Sequence, residues 1–147
     1  MNTAAISPGS AHDAVPVTVV IVTYNSESVL PGCLDSLARG FGDVPYHVLV
    51  VDNASSDATV DQASGSDQSV RVVQMGRNAG YAAAINRGVE EAHPEASVLI
   101  LNPDVRLHPG SVAAMLVTAS VPGTGIAATE PGCSRTSGLR MRTDASG

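Results

Sequence analysis

The apolar run at residues 97–101 passes directly into Asn102, Pro103 and Asp104, and the same arrangement occurs twice upstream. Residues 48–51 lead into Asp52, Asn53, Ala54, Ser55, Ser56 and Asp57, and residues 17–22 lead into Thr23, Tyr24, Asn25 and Ser26. An unbroken apolar run bounded by Pro94 and Pro103 is what a strand covered on both faces requires. Strands of that kind build open α/β sheets, whose ligands sit at the carboxyl ends of the strands. The three oxygen-rich loops would surround one polar ligand. Asp52 and Asp104 would give that site negative charge, which calls for a cation or a hydroxyl-rich partner.

The segments between the runs read as helices. Strands are expected at 17–23, 46–52, 70–75, 97–101 and 125–128, all rich in Val, Ile or small residues. In the first gap Ser28 is the expected N-cap, Pro31 falls in the first turn, and Leu30, Cys33, Leu34 and Leu37 share a face that Gly40 would end. A short helix is expected near 57–63, a third at 80–91 with the small run Ala82, Ala83 and Ala84, and a fourth after Pro109 with Val112, Met115, Leu116 and Ala119 inward. Strand and helix in alternation specify a mostly parallel sheet with right-handed crossovers, a doubly wound nucleotide-binding domain. Residues 1–15 read as a flexible arm, 16–128 as the folded unit and 129–147 as an irregular tail.

Composition removes several alternatives. The chain has 147 residues, 44% of them apolar, which suits one soluble domain with a single core. No run approaches the roughly 18 apolar residues of a membrane span, and the amino-terminal residues lack the pattern of a secretory signal, so the cytoplasm is the expected location, including the inner face of the membrane. Net charge is −6, and residues 1–70 carry eight acidic side chains against Arg39 alone. Such a surface repels nucleic acid. All eight basic residues are Arg, which excludes a Lys nucleophile and the Lys of a phosphate-binding Gly-x-x-x-x-Gly-Lys loop. No Gly-x-Gly-x-x-Gly follows a strand, which argues against a dinucleotide site. Cys33 and Cys133 stand far apart and are read as reduced thiols.

Each motif has two readings when taken alone. Asn102-Pro103-Asp104 is either a simple turn or a carboxylate that holds a divalent ion against a diphosphate. Asp52 either caps a helix start or accepts a hydrogen bond from a base or ribose. Asn78, Ala79 and Gly80 either cap a helix or turn its N–H groups toward a polar ligand.

Taken together, Val19 to Ser26, Val50 to Asp57, Arg77 to Tyr81 with Asn86-Arg87-Gly88, and Asn102 to Val105 resemble glycosyltransferase family 2, over about residues 17–115. The Asn-Ala-Gly-Tyr and Asn-Pro-Asp forms look most like its rhamnosyltransferase branch. The resemblance implies a GT-A fold, a nucleotide-sugar donor such as dTDP-rhamnose or a UDP-sugar, inverting transfer, and a glycan or lipid-linked acceptor. It implies that Thr23 and Tyr24 line the nucleoside pocket, that Asp52 accepts from the base, that Arg77 and Asn78 border base and ribose, and that Asn25, Asn53 and Gly80 belong to the same nucleotide-binding set. Asp104 matches the last acid of the family's Asp-x-Asp motif and would hold Mg²⁺ or Mn²⁺. Asn102 replaces the first acid and would bond a ribose hydroxyl.

In that family the catalytic base and most of the acceptor site lie in the second half of the domain, to which no motif here corresponds, and Asp144 does not match it. The chain therefore reads as a donor-binding half whose exposed face would be covered by a partner or a second copy. The two resulting hypotheses are a glycosyltransferase and a non-catalytic nucleotide-sugar-binding module.

Overall fold

The computed structural model describes residues 17–66, 68–119, 127–128 and 137–140. Four parallel strands form its frame: β1 (Val17–Thr23), β2 (Tyr46–Asp52), β3 (Val70–Gln74) and β4 (Val98–Leu101). They alternate with α1 (Leu30–Phe41), α2 (Thr59–Ser64), α3 (Tyr81–Glu91) and α4 (Ser111–Ala119). Two short strands follow, β5 (Ala127–Ala128) and β6 (Ser137–Arg140), and the sheet order is β3-β2-β1-β4-β6-β5. The doubly wound arrangement expected from the sequence is present.

β1 is central and buried along its whole length. Side chains that alternate along it serve two cores. Val17, Val19 and Ile21 pack with Leu30, Cys33, Leu34, Leu37 and Phe41 of α1, Ala63 of α2 and Val112 of α4. Val20 and Val22 pack on the other face with Leu49, Val51, Ile100 and Ala84 of α3. The crossover from β1 to β2 thus lies on one face and that from β3 to β4 on the other. The order of strands reverses between β1 and β4, with β2 and β3 added on one side of β1 and β4 on the other, which creates a crevice at their carboxyl ends.

Several helix boundaries differ from expectation. Val29, not Ser28, is the N-cap of α1, and the carbonyl of Ser26 accepts from the N–H groups of Val29 and Leu30 in place of a capping side chain. Gly40 lies inside α1, where a Cβ would run into Leu107. Gly42, with φ of 57°, ends the helix, in the left-handed region that glycine enters at least cost. Pro109 precedes α4 in a turn completed by Gly110, with φ of 72°. The inward positions of α1 are as expected. In α4 Val112 is buried and Met115 and Leu116 are partly so, while the side chain of Ala119 falls outside the described residues.

Within 129–147, expected to be irregular, Ser137–Arg140 forms β6 and pairs antiparallel with β4. The open backbone edge of β4 supplies hydrogen-bonding partners that no side-chain periodicity announces. The expected arm at 1–15, Cys133 and Asp144 lie outside the described residues.

Candidate functional site

Parallel register brings the loops to one end. Thr23 pairs with Asp52 across β1 and β2, and Ile21 pairs with Leu101 across β1 and β4. The residues after each strand therefore emerge side by side. They line an open cleft of about 690 Å³ whose walls include Tyr24, Asn25, Ser26, Ser28, Asn53, Asn78, Tyr81, Asn102 and Asp104. It lies at the switch point between β1 and β4.

Hydrogen bonds lace the loops after β1 and β2 together. The Asn53 N–H donates to the Thr23 carbonyl at 2.8 Å, and the Ser56 N–H donates to Asn25 Oδ1 at 2.8 Å. The Asn25 N–H in turn donates to Ser55 Oγ, and the Ser26 N–H to Thr59 Oγ1. Glu27 and Asp57 exchange support, since the Glu27 N–H donates to Asp57 Oδ2 and the Ala58 N–H to Glu27 Oε2. Desolvation is the largest single influence on Asp57 and raises its carboxyl, but the bonds it receives from the Thr59 side chain and from the Glu27 and Thr59 N–H groups together outweigh it and hold the carboxyl below the usual range.

Asp52 departs from the role expected of it. It is 2% exposed, and its carboxylate accepts from the Thr23 hydroxyl at 2.9 Å, the Ser55 N–H at 2.9 Å and the Ser55 hydroxyl. The carboxylate is turned into the two loops, and it is absent from the cleft wall where a base would lie. Register is the cause: Asp52 is the last residue of β2, paired with Thr23 and Gln74. Its work is to tie two loops together. Asp57, whose Oδ1 accepts from the N–H and hydroxyl of Thr59, is the acid that supports the start of α2.

The other expected residues divide into two groups. Tyr24, 53% exposed, stands in the cleft with Asn25, Asn53, Asn78, Asn102 and Asp104. Thr23 borders it, but its hydroxyl is turned to Asp52. Asn53 Oδ1 accepts from the Ala79 N–H at 2.9 Å, joining the loops after β2 and β3. Asn78 Oδ1 accepts from the Gly80 N–H, and Gly80, with φ of 90°, turns the chain into α3. Neither Arg77 nor Gly80 is on the cleft wall. Arg77 is exposed and makes no hydrogen bond or ion pair among the described residues.

Tyr81 was not among the expected site residues. It is the first residue of α3, and its hydroxyl crosses the cleft to donate to Asn102 Oδ1 at 2.8 Å. Its position directly after the Gly80 turn was the available signal. Burial first, and then the negative charge of Asp104, raise its phenol above the usual range. Cys33 is buried beneath the site, and burial raises its thiol to about 11. That makes it a core residue and a poor nucleophile.

The donor chemistry suits a metal shared with a ligand. Among the described residues no three His, Cys, Asp or Glu side chains cluster as a metal cage. Asp104 is exposed and, among the described residues, is the sole carboxylate on the cleft wall. Mg²⁺ and Mn²⁺ take hard oxygen donors, and Mg²⁺ is typically held by one or two carboxylates together with substrate phosphates and water. One accessible carboxylate fits that arrangement.

Known proteins agree with this architecture. Residues 18–144 match the Glycosyl transferase family 2 profile, so the match runs on past residue 115. An N-acetylglucosaminyl-diphospho-decaprenol L-rhamnosyltransferase of Mycobacterium tuberculosis is 36% identical over 118 residues, which cover 74% of this chain and 38% of that protein. The chain thus spans less than two fifths of that relative's length. A mannosyltransferase from Pyrobaculum calidifontis, in complex with GDP-Man and Mn²⁺, superposes with a TM-score of 0.63 at 27% identity, covering 77% of this chain and 36% of that one. S. aureus TarS 1-349, in complex with UDP-GlcNAc, gives 0.61 at 25% identity, with 76% of this chain and 37% of that one covered. With the four-strand parallel frame, the switch-point cleft and a family match over most of its length, the chain belongs to glycosyltransferase family 2 and has the GT-A fold.

Proposed function

We propose that the cleft binds the nucleoside diphosphate of a nucleotide-sugar donor, dTDP-rhamnose or a UDP-sugar, for inverting transfer to a glycan or lipid-linked acceptor. The observation that carries this reading is the convergence of an exposed aromatic, three amides and one carboxylate at the switch point: Tyr24, Asn53, Asn78, Asn102 and Asp104. The tyrosine offers a face for a base, the amides offer partners for base edge and hydroxyls, and Arg77 is free to add positive charge at the rim. The mycobacterial relative's name, a rhamnosyltransferase, supports the sugar. The lipid-linked acceptor in that relative's name supports work on a lipid-linked glycan, and we propose the cytoplasmic face of a membrane and cell-wall polysaccharide synthesis as its setting.

Asp104 would hold Mg²⁺ or Mn²⁺ together with the diphosphate, as the mannosyltransferase complex with GDP-Man and Mn²⁺ suggests. When bound, the metal would supply Lewis-acid stabilisation of the leaving nucleoside diphosphate. The chain's own residues bind and orient the donor. The test is calorimetric titration of dTDP and UDP with Mn²⁺ and with EDTA, in the parent and in Asp104→Ala. Binding with Mn²⁺ that falls about tenfold or more in EDTA and in the variant is expected, on the scale of one charge-assisted contact. Equal affinity throughout would overturn the metal assignment.

A non-catalytic donor-binding module is the second reading. It is favoured by one observation: Asp104 is the sole acid among the described residues lining the cleft. An acid committed to a metal leaves none there to deprotonate an acceptor.

A further inference from the structure

We propose that Tyr81 is a positioning residue that orients the Asn102 amide, holding its oxygen so that its NH₂ group faces the donor nucleotide; the proposal rests on the nucleotide reading above. The hydroxyl of Tyr81 donates to Asn102 Oδ1 at 2.8 Å. An asparagine side chain has one acceptor end and one donor end, and a partner at one end decides what the other presents. With Oδ1 engaged, Asn102 offers a donor to the cleft. The free NH₂ end suits an acceptor oxygen of the nucleotide, on a ribose hydroxyl or a phosphate.

The same bond is a bridge. Among the described residues it is the sole hydrogen bond from the start of α3 to the loop after β4, whereas Asn53 ties the loops after β2 and β3, and Asn25, Ser26 and Glu27 tie those after β1 and β2. The tyrosine ring is 47% exposed, so packing alone does not dictate where its hydroxyl rests. An aromatic ring without the hydroxyl would keep the fold and lose the hold on Asn102.

A double-mutant cycle on the full chain tests this, with dTDP and Mn²⁺ titrated into the parent, Tyr81→Phe, Asn102→Ala and the double variant, alongside melting temperatures and side-chain amide NMR of Asn102. Each single variant is expected to bind roughly fivefold more weakly at unchanged melting temperature, as one hydrogen bond implies. The double variant should lose no more than the worse single one. In Tyr81→Phe the Asn102 NH₂ signals should shift in the absence of nucleotide. Parent-like affinity in Tyr81→Phe, additive losses, or unmoved Asn102 signals would overturn the proposal while leaving the nucleotide reading intact. A parent chain that binds neither dTDP nor UDP would overturn that reading and this proposal with it.

Discussion

Asp52 and Asp104 both stand at the carboxyl end of a parallel strand, and their surroundings give them opposite work. Asp52 is buried with three internal hydrogen bonds, and Asp104 is exposed in the cleft. Replacing Asp52 by Ala would strand the buried Thr23 hydroxyl and leave the half-buried Ser55 N–H without its partner, which costs about 2 to 3 kcal/mol. Urea unfolding at neutral pH should show that loss, and a variant as stable as the parent would refute the loop-tie role. Cys33 makes a second case. Its folded thiol is raised to about 11 from an ordinary 9.0, so the folded state keeps its proton where the unfolded state releases it. That contribution is full below pH 9 and is lost as pH rises toward 11. Alkylation at pH 8 followed by peptide mapping should leave Cys33 unmodified in the folded chain, and Cys33→Ala should remove part of the fall in stability between those pH values.

At the scale of elements, helix placement depends on small residues where backbone approaches the sheet. Ala84 and Gly88, four apart on α3, are its buried positions, and a Cβ on Gly88 would meet Val20 of β1 and Val51 of β2. Gly88→Ala is therefore expected to destabilise by about 1 to 3 kcal/mol, because overpacking outweighs the gain in helix propensity. Thermal unfolding would show it. The small run at 82–84 was visible in the sequence, yet Ala82 is exposed and Ala83 half-buried, and only Ala84 packs fully. Likewise the sequence points to Gly40 as the end of α1, whereas the helix runs on to Gly42. What separates them is tertiary: Leu107 needs the space over Gly40, and Gly42 alone takes the left-handed turn.

For the whole molecule, the cleft supplies elements of donor binding and a single acid. We predict that the 147-residue chain binds dTDP or UDP with Mn²⁺ but shows no sugar transfer to a prenyl-linked acceptor, measured against a full-length relative. General-base assistance typically contributes about 10² to 10⁴ in rate, and under the proposed metal role the one acid on the cleft wall among the described residues would not be free to act as that base. Turnover matching the relative would place a base within the chain. Mn²⁺ alone should not bind tightly, because one carboxylate needs the diphosphate to complete the shell; calorimetry without nucleotide checks that.

The sequence by itself determined the order of elements, the parallel frame and the strand ends at which ligands meet, because unbroken runs of Val, Ile and Leu bury both faces and leave few alternatives. It also pointed to Tyr24, Asn53, Asn78, Asn102 and Asp104 as neighbours, since parallel register gathers every loop that follows a strand at one end. Which of those polar residues look outward was decided only by tertiary structure. Asp52 and the hydroxyl of Thr23 face each other because their strands are adjacent and in register, and Tyr81 reaches Asn102 because α3 begins across the cleft from β4. Pairings of this kind span dozens of residues in sequence. A linear reading sees hydrogen-bonding groups, whereas only the folded chain shows which of them have already found each other.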